Sequence, residues 1–236
     1  MTQFVLVAGA WLGSWAWRDV EPGLRAAGHG VHPLTLSGLA DKQEAAAGRQ
    51  AHVQDIVDEV ERLCLRDVVL VGHSYAGIPV GQAAERIGDR LASVVFVDSS
   101  VPADGESFVS GRPDGRAAVE AAIADNGGSW PPPAAADCAD QGLSEEQLAR
   151  FLGGASPHPG ATLTDPAVLT RPLGLLPATY ITCLLDRPEP SPEVAELLAG
   201  ERWRLVTMDT GHWPMFSQPA ELARILLDAA GTDAGR

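Results

Sequence analysis

The stretch Val69-Leu70-Val71-Gly72-His73-Ser74-Tyr75-Ala76-Gly77 constrains this chain more than any other. An apolar, β-branched run ends at a glycine, a serine follows two residues later, and small residues come after it. This reads as a strand that turns sharply into a helix with Ser74 at the apex. Such a turn admits only small flanking residues, and Gly72, Ala76 and Gly77 meet that demand. It lifts the Ser74 hydroxyl out of the sheet, with the positive end of the following helix beneath it. Ala76 takes the last place of a G-x-S-x-G pentad and keeps it small. The pentad alone also fits an ordinary Gly/Ser turn at the end of a buried strand. A strand before it, a helix after it and an Asp then a His downstream separate the two readings, and this chain has all of them.

Strands alternate with helices on either side of the pentad. Residues 4–7 read as a strand, 8–17 as a glycine-punctuated loop rich in tryptophan, and 17–27 as an amphipathic helix stopped by Gly28 and Gly30. A second strand follows at 31–36 and a polar, alanine-rich loop at 39–50. Apolar residues at 53, 56, 57, 60 and 63 have helical spacing across 52–63. Residues 67–71 lead into Ser74, 75–87 follow as a helix, and Leu91–Val97 is a fully apolar strand. Between 101 and 177 the texture changes: Pro and Gly are dense, Trp130-Pro131-Pro132-Pro133 is a rigid extended piece, and only about 115–125 and 144–153 look helical. The alternation then resumes with a strand at 178–184, a helix at Pro192–Leu198, a strand at Trp203–Met208 and a helix at 219–230. The expected architecture is α/β, a mostly parallel sheet with helices on both faces. Residues 1–100 and 178–236 would form its core, and 101–177 would be an inserted cap.

Charge and composition narrow the function classes. The formal net charge is −14, which argues against nucleic acid and anionic membrane surfaces as partners. No apolar run approaches the roughly 18 residues of a membrane span, and Met1-Thr2-Gln3 leads straight into a strand without a basic n-region. Cys64, Cys138 and Cys183 are far apart and odd in number, reading as thiols of a reducing cytoplasm. The six histidines show no metal-ligand spacing. The expectation is a cytoplasmic protein with a small-molecule substrate and neither metal nor cofactor; a homodimer is compatible with the sequence.

A serine hydroxyl attacks well only when a neighbouring base takes its proton. The best base is His212, in Asp209-Thr210-Gly211-His212-Trp213-Pro214 after the last strand. Elsewhere, His29 and His32 flank the second strand, His52 opens a helix, and the side chain of His73 points back into the structure. His158, in Ser156-Pro157-His158-Pro159, is a candidate for a pocket wall. The acid that orients the base is expected at Asp186, which follows the strand at 178–184 and places the three in the order Ser74, Asp186, His212. Asp98, at the end of the strand after the pentad, is the alternative, and Asp209 reads as a turn residue. Acyl transfer also needs donors for the oxyanion. The N–H of Tyr75 is one, and Ala10 in the loop after the first strand is the other, with Gly9 allowing close approach.

These segments resemble a known family. Ala8-Gly9-Ala10-Trp11-Leu12-Gly13-Ser14-Trp15-Ala16-Trp17, the pentad, Tyr180-Ile181-Thr182-Cys183-Leu184-Leu185-Asp186 and Gly211-His212-Trp213-Pro214-Met215 are together similar to the α/β-hydrolases grouped with plant methyl esterases and hydroxynitrile lyases. The resemblance spans the core, is weakest at 101–177, and implies an α/β-hydrolase fold. Two departures stand out. Ala8 replaces the usual histidine of the first loop, removing a side chain that would help hold it. Trp213 stands where cyanohydrin-cleaving members carry a lysine, which disfavours the lyase reaction.

Trp11, Leu12, Trp130, His158, Trp213, Met215 and Phe216 lie on segments expected to converge on Ser74 as the substrate pocket, while Trp15 and Trp17 read as core. An aromatic pocket without a fixed cation suits a neutral ester, lactone or thioester. The leading reading is therefore a serine hydrolase that cleaves a small, largely apolar carboxylic ester through an acyl-enzyme. A tailoring enzyme of secondary metabolism on the same fold is the second reading, motivated by the compact proline-rich cap. A non-catalytic binding protein is the third.

Overall fold

A computed structural model describes residues 1–43, 47–110 and 115–231. Six parallel strands form the main sheet: β1 (Gln3–Val7), β2 (Gly30–Leu34), β3 (Val68–His73) and β4 (Leu91–Val97), then β7 (Ala178–Cys183) and β8 (Trp203–Met208), in the order β2-β1-β3-β4-β7-β8. Successive side chains on a strand point to opposite faces, and the core divides accordingly. Val5, Val7, Leu70, Val94, Phe96 and Tyr180 pack with helices α2 (Arg49–Arg62) and α3 (Gly77–Ile87) on one face. Phe4, Leu6, Val69, Val71, Val95 and Ile181 pack on the other with α1 (Glu21–Ala26) and α9 (Pro219–Gly231). Strands buried on both faces explain the unbroken apolar runs of the sequence.

Among the described residues, the span between β4 and β7 adds no strand to this sheet. It carries α4 (Arg116–Asp125), α5 (Glu145–Gly154), α6 (Gly160–Thr164) and a two-stranded antiparallel pair, β5 (Ser129–Trp130) with β6 (His158–Pro159). Two further short helices are α7 (Pro192–Leu198) and α8 (Pro214–Ser217).

The first helix is shorter than its amphipathic pattern suggests. Ser14–Trp17 form a 3-10 turn and α1 begins only at Glu21. Pro22 is the cause: it lacks an N–H and fits only the first turn of a helix. Of the loop expected at 39–50, residues 44–46 lie outside the described residues, and α2 begins within the remainder at Arg49. Residues 111–114 of the 101–177 span lie outside them too. Among the described residues no helix is long and apolar enough to cross a membrane.

Candidate active site

Ser74 sits in the left-handed region at φ 55°, a conformation costly for a non-glycine residue and held only where the surroundings fix it. The fixing is steric. A Cβ at Gly72 would come within 3.0 Å of the Ala76 carbonyl oxygen, and one at Gly77 would overlap the Ser100 carbonyl oxygen. The opposite wall is as close, since a Cβ at Gly9 would lie 2.7 Å from the Ser74 Cβ.

Four segments meet at this serine. His212 follows β8, three strands away in the sheet, and its loop folds back across the strand ends. The Ser74 Oγ lies 2.9 Å from His212 Nε2. On the other side of the ring, His212 Nδ1 lies 2.6 Å from Asp98 Oδ2 and 3.6 Å from Asp186 Oδ2. Only the first of these is hydrogen-bond distance. Asp98 is buried and accepts a second bond from the Cys183 N–H at 3.1 Å, whereas Asp186 is partly exposed beside Arg187. Thus the structure brings both candidate acids to one imidazole, with the direct bond made by the acid at the end of β4.

Both carboxylates act on the base electrostatically. Burial alone would lower the basicity of His212, but its contacts with Asp186 and Asp98 outweigh this and push its pKa up to about 9. In return, contact with His212 holds the Asp186 carboxyl well below the usual carboxylate range, against the burial that would raise it. Ligand atoms of Asp98, Asp186 and His212 all lie within 4.8 Å of one another, the one such group among the described residues. A cation there would compete for the Nδ1 position that faces Asp98.

His73 connects two loops behind the serine. Its Nε2 donates to the His212 carbonyl oxygen at 2.7 Å, which leaves Nδ1 to accept the Gly9 N–H at 3.3 Å. Complete burial, then the nearby His212 charge, lower its pKa well below the ordinary histidine value, so it stays neutral. Its position inside the turn is evident from the sequence, but not its partners, which come from loops 64 and 139 residues away. His212 is further held by Gln141, whose Oε1 accepts the His212 N–H at 2.6 Å.

A cavity of about 430 Å³ opens on Ser74 and His212. Ala10, Trp11, Trp130 and Trp213 line it, joined by Phe108, Pro131, Pro132, Pro133, Asp137, Asp186 and Arg187. Four residues expected in this wall are elsewhere. Leu12, Met215 and Phe216 are buried in the apolar cluster that includes α1 and α9, where Phe216 packs against Trp15 and Phe151. His158 is fully buried behind the wall, bonded to the Trp11 N–H. Arg187 brings a cation to the rim of a pocket for which the sequence suggests none. Phe108 and Asp137 belong to the aperiodic 101–177 span, whose pattern carries no sign of which side chains face inward. Tyr75 is buried, with its hydroxyl 2.9 Å from His52 Nδ1.

The comparisons with known proteins agree with this architecture. The alpha/beta hydrolase family model matches residues 4–225. Methyl jasmonate esterase 1 of Vitis vinifera is 30% identical over 268 aligned positions, covering 94% of each chain. A carbendazim hydrolyzing esterase of Nocardioides sp. (strain SG-4G) is 38% identical over 113 residues, 47% of each chain, so that match spans about half of that relative's length. Among solved structures, an extracellular alpha/beta-hydrolase from a Paenibacillus species superposes with a TM-score of 0.86 at 23% identity, over 97% of this chain and 98% of that one, a likeness of fold. On these matches, and on the sheet and turn that carry them, the chain belongs to the alpha/beta hydrolase family, in its plant methylesterase-like group.

Proposed function

We propose that the protein is a serine esterase that cleaves a small, largely apolar carboxylic ester through an acyl-enzyme. One observation carries this: Ser74 Oγ, His212 and Asp98 form a continuous hydrogen-bonded chain of 2.9 and 2.6 Å at the wall of an aromatic cavity. Relatives named as esterases support ester hydrolysis as the reaction class.

In this reading Ser74 Oγ attacks the ester carbonyl as His212 Nε2 takes its proton. Asp98 keeps the other ring proton on Nδ1 and stabilises the imidazolium. The oxyanion is held by the N–H groups of Tyr75 and Ala10. The neighbouring Trp11 N–H is already committed to His158, which leaves Ala10 as the donor of that loop. Each donor of this kind is worth about 10²- to 10³-fold in rate. His212 then returns the proton to the leaving alcohol, and a water deprotonated by His212 releases the acid. Asp186 acts on the base through its charge, a positioning role distinct from that of Asp98. Residues 101–177 act as a cap whose Trp130 closes the cavity over Trp11.

The test is turnover of a panel of short-chain p-nitrophenyl and methyl esters. Wild type is expected to show a burst followed by steady hydrolysis, and Ser74→Ala to show neither. Wild-type rates no higher than those of Ser74→Ala across the panel would contradict the proposal.

A further inference from the structure

Ala10 lies between two amides that are each held by a buried histidine. On one side the Gly9 N–H donates to His73 Nδ1 from the turn; on the other the Trp11 N–H donates to His158 Nδ1 at 3.3 Å. The first histidine belongs to the sheet. The second comes from β6, in the span between β4 and β7, 147 residues from the loop it contacts.

The loop needs such support. Leu12 N–H closes a turn onto the Gly9 carbonyl oxygen, and Trp11 sits in that turn at φ 66°, in the left-handed region that favours glycine. A bulky side chain stays there only if its peptide groups are over-determined. They are: besides the bond to His158, the Trp11 carbonyl oxygen accepts the Ser156 N–H at 2.9 Å. Residues 156 and 158 thus grip both backbone polar groups of Trp11, and its indole packs on Trp130 of β5, the strand paired with β6, at a ring separation of 4.2 Å.

For the grip to hold, His158 must present a lone pair at Nδ1, which requires its proton on Nε2. Thr162 sets that tautomer. Its Oγ1 donates to the Pro159 carbonyl oxygen at 2.7 Å and so accepts from His158 Nε2, 2.8 Å away. Both side chains are fully buried, so water offers no substitute partner. Nor does Ala8 offer one, its methyl group standing at the start of the loop.

We infer that His158 is a positioning residue for catalysis, which, in the tautomer set by Thr162, aims the Ala10 N–H at the oxyanion by holding Trp11. The inference rests on the proposed esterase reading for its kinetic consequence, but not for its structural one.

The test compares His158→Asn, whose Oδ1 can replace the Nδ1 acceptor, with the apolar His158→Leu. In amide hydrogen exchange, Trp11 is expected to be protected in wild type and His158→Asn and to exchange at least tenfold faster in His158→Leu. In steady-state kinetics on a p-nitrophenyl ester, His158→Leu should lower kcat about 10- to 100-fold with KM within about threefold, as expected for a misaimed donor, and His158→Asn should restore most of the loss. Equal Trp11 protection in all three proteins, or equal kcat loss in both variants, overturns the inference. Should neither histidine variant fold, Thr162→Val decides: faster Trp11 exchange supports it, and unchanged exchange overturns it. The exchange arm stands even if wild type cleaves no ester, so failure of the esterase reading and failure of this one are distinguishable.

Discussion

Asp98 Oδ2 lies 2.6 Å from His212 Nδ1, a full ångström closer than the carboxylate of Asp186. The pairing follows from sheet order. β4 lies between β3, which carries Ser74 at its end, and β7, so an acid at the end of β4 is beside the serine's own strand. The Cys183 N–H on β7 then binds the other oxygen of Asp98 and fixes the carboxylate.

If Asp98 holds the tautomer of the base, Asp98→Asn should lower kcat on a p-nitrophenyl ester by about 10³- to 10⁴-fold. Asp186→Asn should cost less than about tenfold, because it removes a charge and not the Nδ1 hydrogen bond. Steady-state kinetics of the two variants side by side check this, and the reverse ranking would move the acid to Asp186.

Activity should depend on pH through His212. A general base works only in its neutral form, and the two carboxylates push its pKa up to about 9. Accordingly kcat/KM should rise as pH increases through neutrality and level off only above about 9. Removing the Asp186 charge weakens the hold on the proton, so the rising limb of Asp186→Asn should move to lower pH. A pH–rate profile of each protein measures the displacement; a limb moved upward or unmoved would contradict the electrostatic account.

Gly9→Ala should cripple the site without removing a polar group. The added methyl would sit 2.7 Å from the Ser74 Cβ and 2.9 Å from His73 Nδ1, so the loop must retreat from the serine. A fall in kcat of about 10²-fold is expected, with a stability loss of about 1–3 kcal/mol from overpacking. Thermal denaturation beside kinetics separates the two effects.

Trp130→Ala tests the cavity wall. It removes an indole that packs on Trp11 and lines the space above Ser74. The loss of one aromatic contact, about 0.5–1.5 kcal/mol, corresponds to a rise in KM of about two- to tenfold for aryl esters. Saturation curves for aryl and methyl esters show whether the change is confined to the larger group.

Much of the fold is legible in the sequence because β3, β4 and β7 are buried on both faces and punctuated by glycine or polar residues. The strands Leu91–Val97 and Trp203–Met208 and the helix Pro192–Leu198 have the same bounds in the pattern and in the structure. Turn chemistry is less legible: Pro22 shortens α1 although the apolar spacing continues through it. At the site, the approach of His212 to Ser74 is readable because each ends a strand of a parallel sheet, and such ends share one edge. The choice between Asp98 and Asp186 is not, since both end strands on that edge and about 1 Å of side-chain placement separates them. Leu12, Met215 and Phe216 show the same limit. They lie on the right segments, but which way each side chain leaves the backbone depends on turns that no periodicity reports.

Labelling with a fluorophosphonate, followed by intact-mass and peptide analysis, reads the activation of the Ser74 hydroxyl itself. One stoichiometric adduct is expected on Ser74 in wild type, absent from Ser74→Ala and greatly slowed in His212→Ala. An unmodified wild type, or equal labelling of Ser74→Ala, would contradict it.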